Sequence, residues 1–182
     1  MKYMNSATKE QLNSMKGKYS KQAGETFENM INAACEYYKM QDEAYIEKTP
    51  EAFRITGKKS TTHGLVFEGV FTRKSQPDFK GTLKGGQAIC FEAKHTDGDS
   101  IAQNRLTDEQ MRSLELHNNL GGKAYILVSM KMQNFYRVPY YVWQQMKGIY
   151  GRKYMKPEDL EQYQINYEYG ILKFLSVPEE SI

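Results

Sequence analysis

The stretch PDFKGTLKGGQAICFEAKH, at positions 77–95, constrains the fold more than any other part of the sequence. Side chains alternate between the two faces of a strand, so Cys90, Glu92 and Lys94 share one face and Phe91 lies on the other. The glycine-rich GTLKGG segment predicts a reversal that returns the chain as an antiparallel strand and brings Asp78 near Glu92. A strand apolar enough to be buried would then carry two carboxylates and an ammonium group at one end.

These charges predict a metal site. Two adjacent carboxylates repel each other unless a positive charge lies between them. A divalent cation supplies that charge, and hard oxygen ligands with open water positions suit magnesium. Lys94 would then orient a metal-bound water or stabilise charge developing on a phosphate oxygen. A Glu-x-Lys pair alone is more often an ion pair at a strand edge, so the prediction depends on Asp78.

Glu28 and Gln110 are further candidates, each with a structural alternative. Apolar residues at helical spacing predict a helix from about Ser20 to Lys39, and Glu28 borders its buried stripe. Glu28 is therefore either a snorkelling neighbour of the core or a third carboxylate of the site. Gln110 fits a capping box in which Thr107 is the N-cap, and it also shares a helix face with apolar residues that would turn toward the sheet.

The order of elements predicts an α/β fold with a mixed sheet flanked by helices. The predicted strands are 44–48, 64–73, 87–94, 123–130 (the apolar run KAYILVSM) and its neighbour NFYRV; the predicted helices are 20–39, 106–118, and two that open at Pro139 and Pro157. With 182 residues, one domain is expected. It would span 21–182, with a basic insertion at about 49–66 that protrudes, and residues 1–20 would form a flexible basic arm.

Charge is segregated along the chain, although the net charge is only +3. Basic residues cluster near the N-terminus, around the predicted insertion and near position 150, which is typical of phosphate-binding surfaces but also of ordinary solvated loops. The candidate DNA-binding residues are Lys18, Lys21, Arg54, Lys58, Lys59, Arg73, Lys74, Arg152 and Lys153.

No apolar run of the length that spans a membrane occurs, and the N-terminus lacks the apolar core of a secretory signal. Cys35 and Cys90 fall at apolar positions of a helix and a strand, which predicts buried, reduced thiols. A cytoplasmic protein is therefore expected. Nothing in the sequence has zinc-ligand spacing, a phosphate-binding glycine loop or the pattern of a serine nucleophile.

A glutamate on the first helix, then PD, then E-A-K at a strand end resembles the PD-(D/E)XK nuclease superfamily, whose fold is that of restriction endonucleases. YSKQAGETFENMI, SQPDFKG, FEAKHT, the glutamine-containing helix before KAYILVSM, and GRKYMKPEDL resemble, in that order, RecU-type Holliday junction resolvases. The resemblance covers roughly 18–175.

The resemblance implies roles for individual residues. Asp78 and Glu92 match the metal-binding carboxylates, with the carbonyl oxygen of Ala93 as a further ligand and Lys94 as the catalytic lysine. Glu28 would complete the site and Gln110 would lie near it. The cofactor would be magnesium, for which manganese can substitute. The family acts as a homodimer on branched DNA, and its basic stalk enters the centre of the four-way junction.

Three segments depart from the family pattern: Ser75-Gln76-Pro77 before the aspartate, the loop HTDGDSIAQNR after the lysine, and an N-terminal arm rich in lysine rather than arginine. The resulting expectation is a magnesium-dependent endodeoxyribonuclease that resolves four-way DNA junctions by paired phosphodiester cleavage in recombination and repair. One alternative is a restriction-like or phage DNA-processing endonuclease that acts on duplex or flapped DNA. Another is a DNA-binding or annealing protein whose nuclease core has decayed.

Overall fold

The computed structural model describes residues 9–50, 53–71 and 76–176. A six-stranded mixed sheet forms its centre, in the order β1-β4-β5-β7-β8-β10. β5 and β7 are parallel, and the other neighbours in this sheet are antiparallel. The strands of this sheet are β1 Ala44–Lys48, β4 Phe79–Leu83, β5 Ala88–Thr96, β7 Lys123–Met130, β8 Asn134–Pro139 and β10 Gln164–Ile165.

Helices cover both faces of this sheet, which confirms the predicted mixed α/β architecture. The helices are α1 Lys9–Met40, α2 Asp108–Asn119, α3 Tyr140–Gln144, α4 Met146–Tyr150 and α5 Pro157–Leu160, with short 3-10 turns at Gln103–Arg105 and Glu161–Tyr163. The parallel connection from β5 to β7 passes through α2, as a parallel pair requires a crossover. In the part of the chain that the structure describes, no helix has both the length and the apolar character needed to cross a bilayer.

Two apolar clusters, one on each face of the sheet, show which side chains of β5 face which helix. Ile89 and Phe91 pack against α1 with its buried stripe, of which Phe27 is a member. Cys90 packs on the opposite face with Leu114 of α2. Side chains of even number on β5 therefore face α2, and those of odd number face α1. Glu92 and Lys94 lie on the α2 side of the sheet.

The first helix is longer than the sequence predicted. It begins at Lys9, so residues 9–20, expected to belong to a flexible arm, are helical. The turns from Asn13 to Tyr19 are exposed, so they carry no buried stripe from which periodicity could reveal a helix. They continue a helix that is anchored further along by tertiary packing. The remainder of the predicted arm, residues 1–8, lies outside the described residues.

The segment after β1 forms a separate two-stranded sheet, here called the hairpin. It consists of β2 Phe53–Thr61 and β3 Gly64–Phe71, which pair antiparallel with an irregularity between Ile55 and Gly57. The predicted strand at 64–73 is therefore part of the hairpin, and its partner β2 was not predicted. β2 is largely exposed and polar, so no buried alternating face announced it.

Four further short strands complete the described elements: β6 Ile101–Ala102 pairs with β9 Tyr154–Met155, and β11 Tyr167–Glu168 pairs with β12 Ile171–Leu172. Helix boundaries elsewhere agree with the sequence to within a few residues. The single helix predicted from Pro139 to about Lys147 is two short helices that meet at Gln145. Both cysteines are free and buried, as expected.

Candidate active site

The turn between β4 and β5 sets the level at which the predicted carboxylates meet. Gly85 and Gly86 both adopt positive φ, near +90°, a conformation that side-chain-bearing residues rarely take. The turn is closed by the Leu83 N–H, which donates to the Gln87 carbonyl at 2.8 Å. Phe79 then lies opposite Phe91 in the antiparallel pair. Asp78, one residue before Phe79, is thereby carried to the level of Glu92, which confirms the predicted reversal.

Three charged side chains of this stretch, Asp78, Glu92 and Lys94, form one buried cluster with Gln110 of α2, here called the acidic site. The Lys94 Nζ lies 2.9 Å from Glu92 Oε2 and 3.9 Å from Asp78 Oδ2. The Ala93 N–H donates to Asp78 Oδ2 at 3.2 Å. The Glu92 side chain is fully buried and the Lys94 side chain is 15% exposed, so water screens this cluster poorly.

The environment of Glu92 disfavours its charge. The pKa of this carboxyl is raised from its usual 4.5 to about 8, chiefly because burial removes water from it. Repulsion from Asp78 adds to the effect, and the ammonium of Lys94 opposes it. One oxygen, Oε2, receives hydrogen bonds, whereas Oε1 is buried and has no hydrogen-bond partner within the described chain.

Gln110 satisfies both of its predicted roles at once. Its backbone N–H donates to Thr107 Oγ1 at 3.2 Å, and the Thr107 N–H donates to Gln110 Oε1 at 3.1 Å, which completes a capping box. The Nε2 group of the same side chain donates to Glu92 Oε2. The amide therefore fixes the start of α2 with its oxygen and contacts the acidic site with its nitrogen.

Glu28 has a different immediate partner. It lies on α1, which packs on the face of the sheet opposite Lys94, and it forms an ion pair with Lys48 at the end of β1. In residues 9–50, 53–71 and 76–176, no group of three or more His, Cys, Asp or Glu side chains that could hold a metal ion is found. The structure thus brings together Asp78, Glu92, Lys94 and Gln110, and it pairs Glu28 with a lysine.

The candidate DNA-binding residues divide by their surroundings. Lys18 and Lys21 are exposed on α1, and Arg54, Lys58 and Lys59 are exposed on the hairpin, where Lys59 pairs with Glu68. Lys153 is exposed as well. Arg152 is partly buried, pairs with Asp159 and lies over the ring of Tyr154, so much of its charge is already compensated. Arg73 and Lys74 lie outside the described residues.

Two polar residues near the site, His95 and Thr49, were given no role in the sequence analysis. His95, which follows Lys94, is buried on the opposite face, with Nδ1 3.1 Å from Ser129 Oγ and Nε2 3.0 Å from Asp97 Oδ1. The His-x-Asp pattern directly after the E-A-K motif was the available signal. Thr49 is also buried, and its N–H donates to the Asp78 carbonyl at 2.8 Å. This bond ties the end of β1 to the aspartate, and nothing in the sequence pattern announces it.

Comparison with known proteins places the chain in a family. The family described as "RecU: Recombination protein U" matches residues 22–179. The Holliday junction resolvase RecU of Streptococcus gordonii is 29% identical over 125 residues, which cover 65% of this chain and 62% of that protein. The chain thus aligns with less than two thirds of that relative's length.

Two further proteins are similar over comparable spans. The Holliday junction resolvase RecU of Mycoplasmopsis pulmonis is 29% identical over 126 residues, covering 63% of this chain and 74% of that protein. The solved structure of Archaeoglobus fulgidus Hjc, a Holliday junction resolvase, matches with a TM-score of 0.41 and 12% identity, over 66% of this chain and 75% of that one. The family match extends over most of the sequence and includes every residue of the acidic site, and the chain belongs to the RecU family.

Proposed function

We propose that this protein is a magnesium-dependent, structure-specific endodeoxyribonuclease that resolves four-way DNA junctions by paired phosphodiester cleavage in homologous recombination and repair. The observation that carries the proposal is the convergence of Asp78, Glu92 and Lys94 at the end of β5 in a chain of the RecU family. Burying two carboxylates and a lysine together between β4 and β5 carries a large desolvation cost, which favours a chemical role for them.

The acidic site fits a divalent cation. The buried Glu92 Oε1 has no hydrogen-bond partner in the described chain, and Asp78 adds a second oxygen ligand close by. Asp78, Glu92 and the carbonyl oxygen of Ala93 would hold magnesium, or manganese in its place, and Glu28 is the candidate for completing the site. Bound magnesium supplies Lewis-acid polarisation of the phosphate and a water of lowered pKa. Glu28 could contribute only if its ion pair with Lys48 opened.

The other residues of the site act on geometry and charge. Lys94 places its ammonium between the two carboxylates, from where it orients a water or stabilises charge on a phosphate oxygen. The amide of Gln110 fixes one oxygen of Glu92, which leaves the other to bind. Because Gln110 also caps α2, the orientation of Glu92 is set by a rigid element.

Recognition of the junction is assigned to the exposed basic residues. The hairpin, with Arg54, Lys58 and Lys59, would be the stalk that enters the junction centre; its separation from the central sheet and its exposed strands support this role. The other proposed phosphate contacts are Lys18, Lys21, Arg73, Lys74, Arg152 and Lys153. Binding would follow branched shape and phosphate charge, so affinity would fall steeply with salt.

Paired cleavage requires two sites, so the active form would be a homodimer whose protomers act on opposite strands of the junction. The fold would be that of the restriction-endonuclease-like nucleases, in one nuclease domain over residues 21–182. The reaction would take place in the cytoplasm, where the free cysteines Cys35 and Cys90 stay reduced.

The test is a time course of the purified chain with a mobile four-way junction, a flap and a linear duplex at equal concentration in magnesium. Symmetric paired nicks in the junction are expected, with much slower cleavage of the other two substrates. Asp78→Asn and Lys94→Ala should each lower the cleavage rate by about a thousandfold or more. Glu36→Gln removes an exposed carboxylate of α1 and serves as the matched control for Asp78→Asn.

Each other outcome contradicts the proposal in a different way. Preferred cleavage of duplex or flap would favour a restriction-like or DNA-processing nuclease. Binding without cleavage, in magnesium or manganese, would favour a DNA-binding accessory protein. Full activity of Asp78→Asn or Lys94→Ala would show that the acidic site is not the active site.

A further inference from the structure

A cleft of about 810 Å³ opens near the end of β5, on the face of the sheet opposite Glu92 and Lys94, and is not used by the proposed chemistry. One wall is α1 around Lys16 and Tyr19, and the other consists of the end of β5, the loop that follows it and Arg105. His95 lines the cleft and is the residue directly after Lys94. The cleft therefore begins one residue beyond Lys94 along β5, on the α1 side of the sheet.

The wall formed by the loop is held in place by its own hydrogen bonds. His95 connects Asp97 to Ser129 of the neighbouring strand β7, with both contacts near 3 Å. Arg105 Nη2 donates to the His95 carbonyl at 3.0 Å, which positions the guanidinium at the edge of the cleft. A guanidinium has five N–H donors, so this single bond leaves most of them available to a ligand.

The groups that line the cleft suit a nucleic acid strand. Arg105 and Lys16 are exposed, and within the described residues neither forms an ion pair. Tyr19 is 65% exposed, so a large ring faces solvent beside two cations. Guanidinium groups bind phosphate through paired N–H donors, and exposed aromatic rings stack on bases. Asp97 is the acidic residue of the wall, and its carboxylate is engaged by His95.

The cleft also continues toward a surface already assigned to DNA. The N–H of Gln103, two residues before Arg105, donates to the carbonyl of Lys153 at 2.9 Å. A strand that ran from the acidic site through the cleft would therefore meet Lys153 next. The volume lies in the range of pockets that hold ligands of nucleotide size.

We propose that this cleft binds the DNA strand segment next to the scissile phosphate, with Arg105 and Lys16 contacting its phosphates and Tyr19 stacking on a base. The inference rests on the proposed nuclease function, because it takes the acidic site as the point of cleavage. The cleft would position the strand for cleavage. Arg105 and Tyr19 would contribute to DNA binding and not to the chemical step.

The experiment measures binding of a fluorescent four-way junction to the full chain by anisotropy across a salt series, with EDTA present so that no cleavage occurs. Arg105→Ala should weaken binding about fivefold to tenfold, and the slope of log affinity against log salt should fall by about one. Arg105→Lys, which keeps the charge, should restore the slope. Lys39→Ala is the matched control, because it removes one exposed cation about 35 Å along the same helix from Lys16.

Tyr19 gives an independent readout, since it is exposed and its substitution leaves the loop wall intact. Tyr19→Ala should weaken binding about fivefold to tenfold without changing the salt slope, whereas Tyr19→Phe should bind as wild type. The proposal is overturned if Arg105→Ala and Tyr19→Ala both bind within twofold of Lys39→Ala, or if Tyr19→Phe is as weak as Tyr19→Ala. Thermal melts confirm that the Arg105 variants are folded; if they are not, the Tyr19 series decides.

The two proposals fail separately. If the wild-type protein binds the junction through this cleft but cleaves no DNA in magnesium, the proposed function is contradicted and the DNA-binding role of the cleft still stands. A wild-type protein that cleaves junctions while the Arg105 and Tyr19 variants bind normally contradicts the cleft alone.

Discussion

Two lysine–glutamate pairs in this molecule lie in opposite environments. Lys94 and Glu92 meet at the end of β5, with side chains 15% and 0% exposed, whereas Lys59 and Glu68 meet on the hairpin with 70% and 51% exposed. An exposed pair is screened by water and contributes little to stability. A buried pair carries a large desolvation cost, so its charges dominate the local chemistry. Under the proposed function, the buried pair belongs to the active site and the exposed pair to the surface that binds DNA.

The largest effect should come from removing the buried lysine. Lys94→Ala is expected to lower the junction cleavage rate by about a thousandfold or more, because Lys94 is the one positively charged side chain among the four residues of the acidic site. Junction affinity should change far less, since the hairpin remains intact. Lys39→Ala, which opens an exposed pair with Glu36, should cleave at the wild-type rate. Equal losses of affinity and rate in Lys94→Ala would remove the distinction between the two pairs.

The buried glutamate should make stability depend on pH. Glu92 is protonated in both states below its usual pKa of 4.5; between there and its folded pKa of about 8, only the unfolded state loses the proton. The free energy of unfolding therefore falls as pH rises through this window. Between about pH 5.5 and pH 8, the metal-free wild type should lose about 5–10 °C more in Tm than Glu92→Gln does.

Magnesium should oppose that loss, because a cation that binds the ionised carboxylate stabilises the folded state. The increase in Tm on adding magnesium should accordingly be larger at pH 8 than at pH 5.5, and absent in Glu92→Gln. A magnesium effect of equal size in Glu92→Gln would place the metal elsewhere.

Substitutions at Gln110 and Thr107 should separate the effect on catalysis from the effect on helix capping. Gln110→Ala removes the contact with Glu92 and half of the capping box, so it should lower both the cleavage rate, by about tenfold to a hundredfold, and the free energy of unfolding, by about 1 kcal/mol. Thr107→Ala removes only the cap and should cost a similar free energy of unfolding with a nearly unchanged rate. If Thr107→Ala slowed cleavage as much as Gln110→Ala, the glutamine would act through the helix alone.

The smallest effects are expected on the hairpin. Lys58→Ala should weaken junction binding severalfold and reduce the salt slope by about one, with no change in the rate of cleavage at saturating protein. Glu68→Gln releases Lys59 from its ion pair and should strengthen binding by about twofold. Fluorescence anisotropy across a salt series measures both changes. A loss of the saturating cleavage rate in Lys58→Ala would contradict the division between binding hairpin and reactive site.

Much of the fold was accessible from the sequence because its signals are local. The GTLKGG turn, the apolar run of β7 and the Thr107 capping box each depend on residues within a few positions of one another, and all three were found as predicted. The first turns of α1 and strand β2 were missed because they lack such a local signal. The turns of α1 from Asn13 to Tyr19 and strand β2 are largely exposed, so neither has the buried periodic face on which such predictions depend.

By itself, the sequence determined the acidic cluster on β5. The tight reversal brings Asp78 to the level of Glu92, and strict alternation puts Glu92 and Lys94 on the same face of the strand. Only the tertiary structure decided that Glu28 pairs with Lys48, that Gln110 contacts Glu92 while it caps α2, and that Arg105 anchors on the carbonyl next to Lys94. Each of these contacts joins elements distant in sequence. Their formation depends on how helices pack across the sheet, and periodicity reports which face of an element is buried but not which side chain will be opposite.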